Sequence, residues 1–434
     1  MARVSPFRAV RYRVTAGSDV TPLTGPPYDV IPPALREDLL SRDPHNVVAL
    51  ELPEGPLDPT LSGNRYETGG ARWRDWLASG VLAFDAEPSV YVVEQRYRHA
   101  DAEIARRGFV AAVHLEPFSA GVVLPHERTL PKAIDDRLNL TRATAANLSQ
   151  VFGMFPDPEH TTDVLVARAM GTPPLATATD DDGVVSTVWA LTDPSDHATL
   201  AAFMEDRPVF IADGHHRYTT ALAYRDERAA AEPVGVVVPE RAYQSVMMAL
   251  VNMDDPGLVV YPTHRLVDAP EPLDPAAFRG ALSRRFELSD LPPGHAADAL
   301  AAAVDRPSFI IGMRDGVTLL ARLRADIDHS DAFPAGTSQA WRALDVAVIQ
   351  ELVMSPLLDV HPDRPATLDR LSFSKDAHAA LRAACDHDAV FVLNPTRMEQ
   401  VAAVALAGET MPQKSTYFYP KLQSGLLFKS LEEL

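Results

Sequence analysis

Apolar residues recur along the chain in two patterns that predict an alternation of strands and helices. Short apolar runs between polar or turn residues predict strands, and apolar residues three or four positions apart predict amphipathic helices. The predicted strands lie at 7–14, 46–51, 89–97, 107–115, 151–155, 184–191, 209–212, 235–239, 244–253 and 308–312. The predicted helices lie at 34–41, 66–77, 275–286, 296–304 and 341–358, and others open near 131, 217 and 397. The pattern therefore predicts an α+β fold, that is, a mixed α/β arrangement.

Two features of this pattern bear on the organisation of the chain. The polar segment 98–106 separates two predicted strands, 89–97 and 107–115, which we expect to pair as a hairpin. Beyond residue 265 the pattern changes, with helix-like segments around a Pro-Pro-Gly turn, and this predicts a second lobe. We expect a core over 1–265 and a C-terminal α+β lobe over 266–434, whose tail at 410–430 is a candidate to return to the site of the core.

Composition places the protein among globular proteins with a substantial core. Of its 434 residues, 46% are hydrophobic and 23% are charged, and no apolar run approaches the length of a membrane helix. The first residues lack the apolar segment of a secretory signal, so we expect a cytoplasmic protein. Cys385 is the one cysteine, which excludes an intrachain disulfide and a cysteine-based zinc site. Its helix-like surroundings predict a small buried residue.

The net charge of −19 makes nucleic acid and anionic membranes unfavourable partners, because both attract basic surfaces. A local basic site is still compatible with this charge. Residues 410–430 contain no acidic residue, but they contain Lys414, Lys421 and Lys429. This segment is either an electrostatic clamp for phosphates or a structural strand with solvated lysines, and the sequence leaves both open. It does not predict the oligomeric state.

The most informative segment, 208–222, predicts a strand, a tight turn and a helix, with polar residues at the start of the helix. The first turn of a helix has unpaired N–H groups and a partial positive charge, so it favours anions such as phosphate. Gly214 would allow a ligand to approach closely, and Arg217 would add a fixed charge. The same field favours neutral His215 and His216, the form that a general base needs. Equally, Asp213 is an ordinary helix N-cap, and paired histidines occur in structural roles.

Three further segments carry candidate binding chemistry. A loop at 24–33 is stiffened by prolines and would hold Tyr28 and Asp29 in a preset position. A helix predicted near 131 begins beside potential metal, proton and phosphate ligands, which are His126, Glu127, Arg128, Thr129 and Lys132. The later residues 135–142 predict a solvated, salt-bridged helix face. Near the end, a strand-turn-helix segment at 389–408 places Arg397 at its turn.

Six separated motifs resemble those of the family DUF1015, in order and over nearly the whole chain. They occupy 26–31, 126–132, 212–218, 250–257, 394–397 and 411–421. The motif at 212–218 is also similar to the signature of the wider ParB/sulfiredoxin superfamily, which implies a ParB/sulfiredoxin-like core with large insertions. Sulfiredoxins have a cysteine at the position of His215, so the resemblance does not extend to thiol repair. Free-serine kinases of that superfamily have a similar turn, in which an aspartate and a histidine are implicated in activating the substrate hydroxyl and holding phosphate.

This resemblance implies a nucleotide-dependent phosphotransferase that phosphorylates a small hydroxyl compound, with free L-serine as the best single candidate. Its cofactors would be Mg²⁺ and a nucleoside phosphate, ATP or ADP. The roles implied are catalysis by Asp213, His216 and His215; phosphate binding by Gly214, Arg217, Arg128, Lys132, Arg397 and Lys414; substrate binding by Tyr28, Asp29, His126 and Thr129; and metal binding by Glu127. The alternative is a CTP- or ATP-binding regulatory or partner-binding module with little catalysis. A metal-dependent hydrolase that uses the histidines is a third hypothesis.

Overall fold

The structure is a computed structural model that describes residues 2–127, 131–232, 240–292 and 294–432, apart from the side chains of Pro131, Lys132 and Pro365. The described residues form two compact units. The first draws on 1–125, 129–259 and 420–434, and the second on 126–128 and 260–419. Each unit combines sheets with helices, which confirms the mixed α/β fold class. The boundary expected near residue 265 stays a prediction.

The elements of both units follow in chain order. The strands are β1 Val4–Ser5, β2 Val10–Tyr12, β3 Ser18–Asp19, β4 Leu82–Phe84, β5 Val90–His99, β6 Ala102–His114, β7 Val123–Leu124, β8 Ala146–Asn147, β9 Val151–Phe155, β10 Ala176–Thr179, β11 Val185–Leu191, β12 Val209–Asp213, β13 Ser245–Asn252, β14 Val259–Tyr261, β15 His264–Val267, β16 Phe286–Asp290, β17 Ser308–Met313, β18 Thr318–Leu323, β19 Leu371–Ser374, β20 Ala389–Leu393, β21 Tyr417–Tyr419 and β22 Lys429–Ser430. The α-helices are α1 Pro33–Arg42, α2 Val48–Glu51, α3 Arg65–Ser79, α4 Pro131–Thr144, α5 Asp163–Met170, α6 Pro194–Glu205, α7 His215–Ala230, α8 Pro275–Leu282, α9 Ala296–Ala302, α10 Gln339–Arg342, α11 Asp345–Ile349, α12 Ser355–Leu358, α13 Pro365–Leu368, α14 Ala377–Arg382 and α15 Met398–Leu406.

The first unit is built on a large mixed sheet with the strand order β3-β10-β11-β5-β6-β13-β9-β12-β7. Its centre is the predicted hairpin, now β5 and β6, whose strands extend through the polar segment to a turn after His99. Val166 of α5, Met204 of α6 and Tyr218 of α7 belong to one buried cluster with apolar residues of the sheet. The strand β12, which leads into α7, lies between β9 and β7. The sheet therefore supports the start of α7.

The predicted strand at 46–51 is wrong, because its last four residues form the helix α2. Asn46 causes the change. Its side-chain Oδ1 accepts a hydrogen bond from the N–H of Val48 at 3.0 Å, and its Nδ2 donates to the carbonyl oxygens of Pro22 and Thr24. A local bond of this kind offers the backbone a turn in place of a strand. The prediction at 7–14 also shortens to β2, and the predicted strand at 235–239 lies outside the described residues.

The second unit has a sheet with the order β16-β18-β17-β20-β15-β19, and its central strands are buried on both faces. Phe309 and Ile311 of β17 belong to a core cluster with helices α8, α11 and α15, whereas Ile310 packs in another cluster with α9 and α14. Successive residues of a strand point to opposite faces, so a continuous apolar run suits this position. The strand-turn-helix segment predicted near the end is β20 and α15.

Two predictions for the second unit are wrong. The helix predicted at 341–358 is divided into α10, α11, a π-helical turn at Gln350–Met354 and α12. Leu344 has an extended backbone, and Pro356 lacks an N–H and would clash in a regular α-turn, which favours the wider turn before it. Cys385, expected to be buried, is exposed, because it lies at the end of a short 3-10 turn after α14.

None of the helices among the described residues has the length and apolar character needed to span a bilayer.

Candidate functional site at the start of helix α7

The junction between β12 and α7 places Asp213 at the end of a buried strand. Ile211 pairs with Gly153 of β9 and Asp213 pairs with Phe152, so the register shifts at Ala212. Such a bulge bends a strand and changes the direction of the side chains that follow it. Gly214 then adopts φ +90°, a left-handed conformation that favours glycine, and α7 begins at the next residue. The N-cap residue has no side chain with which to cap the helix.

Two cations hold the carboxylate of Asp213. Nζ of Lys421 donates a hydrogen bond to Oδ1 at 2.8 Å, and Nη2 of Arg217 donates to Oδ2 at 2.6 Å. Burial raises the pKa of Asp213, but Lys421 and Arg217, with His215, outweigh it and lower the pKa from 3.8 to about 2. The carboxylate is therefore ionised at neutral pH and accepts from both cations.

Lys421 is positioned by the β5–β6 hairpin. Nε2 of Gln95 on β5 donates to the carbonyl oxygen of Lys421 at 3.0 Å, and Nη2 of Arg106 on β6 donates to that of Pro420 at 2.6 Å. Arg106 is 1% exposed, and its guanidinium carbon lies 4.6 Å from the ring centre of Phe152. Across the described part of the chain, its Nη1 has no hydrogen-bond partner. The hairpin thus fixes the backbone that carries Lys421.

Arg217 lies across Gly214. A Cβ on Gly214 would come within 2.9 Å of Nε and 3.0 Å of Cζ of Arg217. The Nη1 of Arg217 also donates to the carbonyl oxygen of Gln150, which follows β8. The space beside Gly214, which we expected a ligand to use, is therefore occupied by the arginine side chain. The absence of a side chain at position 214 allows Arg217 to reach Asp213 from one turn further along the helix.

The junction is positively charged although the protein as a whole is acidic. Burial lowers the pKa of Arg106 to about 10, and Asp213 is among the groups that oppose this effect, so Arg106 stays charged at neutral pH. Lys421 and Arg217 both contact Asp213, and Arg106 interacts electrostatically with Asp213 as well as with Asp255. The first turn of α7 adds its own partial positive charge. Such an arrangement can bind an anion with several negative oxygens.

A pocket opens beside Arg217, with about 470 Å³ of empty space that is partly open to solvent. Its polar lining includes Tyr28, Glu51, Arg137, Ser149, Arg217 and Thr220. Tyr28 comes from the proline-rich loop, and the guanidinium carbon of Arg137 lies 4.2 Å from the centre of its ring. Burial raises the pKa of Tyr28 to about 12, although Arg137 and Arg217 oppose the rise. Its phenol is therefore protonated at neutral pH. Asp29, the next residue, is exposed.

Arg137 corrects a prediction about the helix that carries it. We expected 135–142 to form a solvated face, but Arg137 is 5% exposed and donates from Nη1 to the carbonyl oxygen and to Oε2 of Glu51, at 3.0 and 3.2 Å. Its Nη2 donates to Asp136 at 2.6 Å. The rest of that prediction fits Arg142, which is exposed and forms an ion pair with Glu227. The buried arginine makes α4 one wall of the pocket.

The comparison of the sequence with family models decides the family. The model described as "Protein of unknown function (DUF1015)" matches residues 4–347. The chain belongs to the DUF1015 family. This confirms the family resemblance, and a comparison with curated protein sequences gives no match.

Several solved structures are similar to this DUF1015 chain at low identity. A free serine kinase in complex with AMP is 11% identical, with a TM-score of 0.34, over 72% of this chain and 86% of that chain. A conserved hypothetical protein from Pyrococcus furiosus is 12% identical, with a TM-score of 0.31, over 73% and 92%. SbnI with a C-terminal truncation, from Staphylococcus aureus, is 12% identical, with a TM-score of 0.34, over 73% and 86%.

Four of the predicted site residues that the structure describes belong to the second unit. His126 is 1% exposed, and its Nε2 lies 3.0 Å from Oγ1 of Thr416. Lys414 is exposed with φ +56°, and Glu127 is half-buried. Arg397 lines a pocket with Asn394 and with Asp345, whose pKa burial raises to about 7. The roles assigned to these residues stay predictions, and the described residues contain no group of three or more His, Cys, Asp or Glu side chains that could hold a metal ion.

The remaining predicted residues lie partly outside the described residues. Arg128, Thr129 and the side chain of Lys132 are in this class. Of the two histidines predicted to be catalytic, His215 is buried and His216 is half-buried, so His216 is the more accessible. Sequence reasoning does not place Arg106, Gln95, Glu51 or Arg137 at the site. It names Lys421 in the candidate phosphate clamp at 410–430, but it assigns phosphate binding to Lys414 of that segment, whereas Lys421 is the lysine that contacts Asp213.

Proposed function

We propose that this protein is a nucleotide-dependent phosphotransferase that acts on the hydroxyl group of a small metabolite, with free L-serine as the first candidate. The observation that carries the proposal is the ion cluster of Lys421, Arg217 and Asp213 at the start of α7. Phosphoryl transfer depends mainly on positioning and on neutralising the charge of the transferred group. A preformed pair of cations beside a helix N-terminus supports that chemistry.

In this proposal Asp213 positions the cations and does not accept the proton. A base is most effective when its pKa is near the working pH, and the pKa of Asp213 is about 2. Its ion pairs with Lys421 and Arg217 hold their charged ends in one place before a phosphate arrives. His216 is the candidate to accept the proton of the substrate hydroxyl, since its side chain is half-buried while His215 is buried.

The residues of the first unit fit a nucleoside phosphate. Arg106 interacts electrostatically with Asp213 and adds a buried positive charge to this region, and its Nη1 lacks a hydrogen-bond partner among the described residues. Lys421, Arg217 and the first N–H groups of α7 would donate to the phosphate oxygens. Mg²⁺ generally binds phosphates with one or two protein carboxylates and several waters, so it would neutralise charge on the phosphates. Glu127 stays the predicted protein ligand.

The test is an assay of the purified full-length protein with Mg²⁺, ATP or ADP, and a panel of hydroxyl compounds that includes L-serine. Formation of a phosphorylated product, measured by ³¹P NMR and mass spectrometry, is the expected result. The variant Lys421→Met should lower turnover at least tenfold, because a charge-assisted contact to the phosphate is lost. Arg142→Met, which removes a cation from an exposed ion pair of the same unit, is the matched control and should retain turnover.

Two results would reject this function. Binding of ATP, ADP or CTP without product across the panel would favour the alternative, a nucleotide-binding regulatory module. No binding of any of these nucleotides, by calorimetry at physiological ionic strength, would remove the phosphate site itself.

A further inference from the structure

The pocket beside Arg217 contains two buried polar atoms whose hydrogen-bonding capacity is unused. Oε1 of Glu51 and Oγ1 of Thr220 are both buried, and neither has a hydrogen-bond partner within the described residues. The side chain of Glu51 is 4% exposed and Thr220 is 3% exposed. Buried polar atoms are almost always paired, since an unpaired one carries the full cost of its lost hydration. Both residues line the same pocket, which places both atoms beside one ligand-sized space.

The charges around Glu51 indicate which ligand group would fit. Arg137 donates to Oε2 of Glu51 but also donates to Asp136, so this arginine is shared between two carboxylates. Asp136 has two further partners: its Oδ1 lies 3.8 Å from Nη1 of Arg65 and accepts a hydrogen bond from the hydroxyl of Tyr66. Neither of these two partners donates a hydrogen bond to Oε1 of Glu51. A carboxylate oxygen accepts hydrogen bonds and favours a positive donor. Oε1 of Glu51 therefore favours a ligand group that is positively charged and donates hydrogen bonds.

We propose that Glu51 and Thr220 form a subsite for the primary ammonium group of the acceptor substrate, which makes that substrate an amino alcohol or a hydroxy amino acid. The acceptor role of this substrate rests on the proposed function, but the binding of an amine at the subsite does not depend on it. An ammonium group has three N–H donors, enough to serve Oε1, Oγ1 and a third oxygen of the pocket. Arg217 lines the same pocket and also contacts Asp213, so the subsite adjoins the proposed phosphate site.

The subsite is tested by ligand pairs that differ in the ammonium group alone. L-serine and 3-hydroxypropionate form one pair, and ethanolamine and ethanol form another. Binding to the full-length protein is measured by calorimetry or by saturation-transfer NMR, without nucleotide and with ADP. We expect each amine to bind at least about tenfold more tightly than its partner, since a charge-assisted hydrogen bond to a buried group is lost in the partner.

Two variants separate binding from folding. Thr220→Val removes a hydroxyl that has no hydrogen-bond partner in the described part of the chain while it keeps the side-chain volume, so the melting temperature should stay unchanged or rise. The same variant should weaken the binding of L-serine about tenfold and leave 3-hydroxypropionate unaffected. Glu51→Gln should have a larger effect of the same kind, whereas the exposed Glu37→Gln on α1 is the matched control and should have none.

The outcomes distinguish this inference from the proposed function. Equal binding of the amines and their amine-free partners, or L-serine binding that both variants leave intact, would overturn the subsite and would favour a buried water as the occupant. Selective amine binding that Thr220→Val abolishes would support the subsite even if no phosphorylated product forms. Transfer of phosphate to amine-free alcohols, unaffected by Glu51→Gln, would support the kinase and overturn the subsite.

Discussion

Replacing Lys421 with methionine removes one of the two cations that contact Asp213, and its effect on the carboxylate can be calculated. Burial raises the pKa of Asp213, yet the cations lower it from 3.8 to about 2. This fall corresponds to about 2.4 kcal/mol of net stabilisation of the charged form. Because burial opposes it, the cations together contribute more than that amount. Loss of Lys421 should therefore raise the pKa of Asp213 by at least about one unit.

The difference is measurable at pH 3. At pH 3, Asp213 should be about nine-tenths ionised in the wild type and at most about half ionised in Lys421→Met. The measurement is a pH titration of protein labelled with ¹³C at the aspartate carboxyl, with Asp213→Asn used to assign the signal. The titrations of the other aspartates report whether the fold is retained. Arg142→Met should leave the titration of Asp213 unchanged.

An unchanged titration of Asp213 in Lys421→Met would refute the reasoning. It would mean that the 2.8 Å contact does not persist in solution and that the segment after Pro420 does not complete the site. A rise in the pKa together with unchanged nucleotide binding would retain the contact and remove Lys421 from the phosphate site.

Three further predictions concern other positions. Gly214→Ala and Gly183→Ala should each lower the free energy of unfolding by about 1–2 kcal/mol, because alanine is strained in the left-handed backbone of both positions. Only Gly214→Ala should also weaken nucleotide binding, measured by calorimetry, because its Cβ would displace Arg217, whereas the space at position 183 is open. Burial lowers the pKa of Lys429 to about 7, so between this pH and the ordinary lysine pKa of 10.5 the unfolded chain binds more protons than the folded chain. The free energy of unfolding should therefore rise with pH over this range, and urea unfolding of Lys429→Met should lack the rise. Cys385 is exposed, and it should react with a thiol reagent such as DTNB in the folded protein at the rate of an accessible thiol; protection until denaturant is added would contradict its position.

The elements predicted best from the sequence are those in which local pattern and tertiary packing agree. The strand at 209–212 and the helix after it are found because an apolar run, a glycine and an amphipathic segment follow one another, and the hairpin of β5 and β6 carries an equally clear pattern. The segment 46–51 is mispredicted because the side chain of Asn46 bonds to backbone groups distant in sequence as well as to its own turn. The pattern of apolar positions contains no information about such hydrogen bonds.

The candidate site is predicted only in part, because some of its contacts are local in sequence and others are not. Asp213, Gly214 and Arg217 are close in sequence, so the turn that joins them is a local property. Lys421 reaches Asp213 across 208 positions, and Arg137 reaches Glu51 across 86. Pairs of this kind depend on the topology of the sheet and on which side of a helix is buried. A buried arginine within a charged helix has no periodic signal, which explains why Arg137 was expected to be solvated.

The ion cluster would also account for how an acidic protein keeps the proposed binding site for anions. Lys421 and Arg217 would repel each other if they converged alone, and each would be free to pair with one of the many carboxylates of the surface. Asp213 holds both at hydrogen-bond distance but neutralises one of their charges. Arg106, which interacts electrostatically with Asp213, adds a third positive charge. Distant carboxylates are screened beyond about 8–10 Å at physiological ionic strength, so the near cations dominate the potential that a phosphate meets. Preorganised charges of this kind need no rearrangement when a phosphate group is transferred, which is the property on which catalysis of that reaction depends.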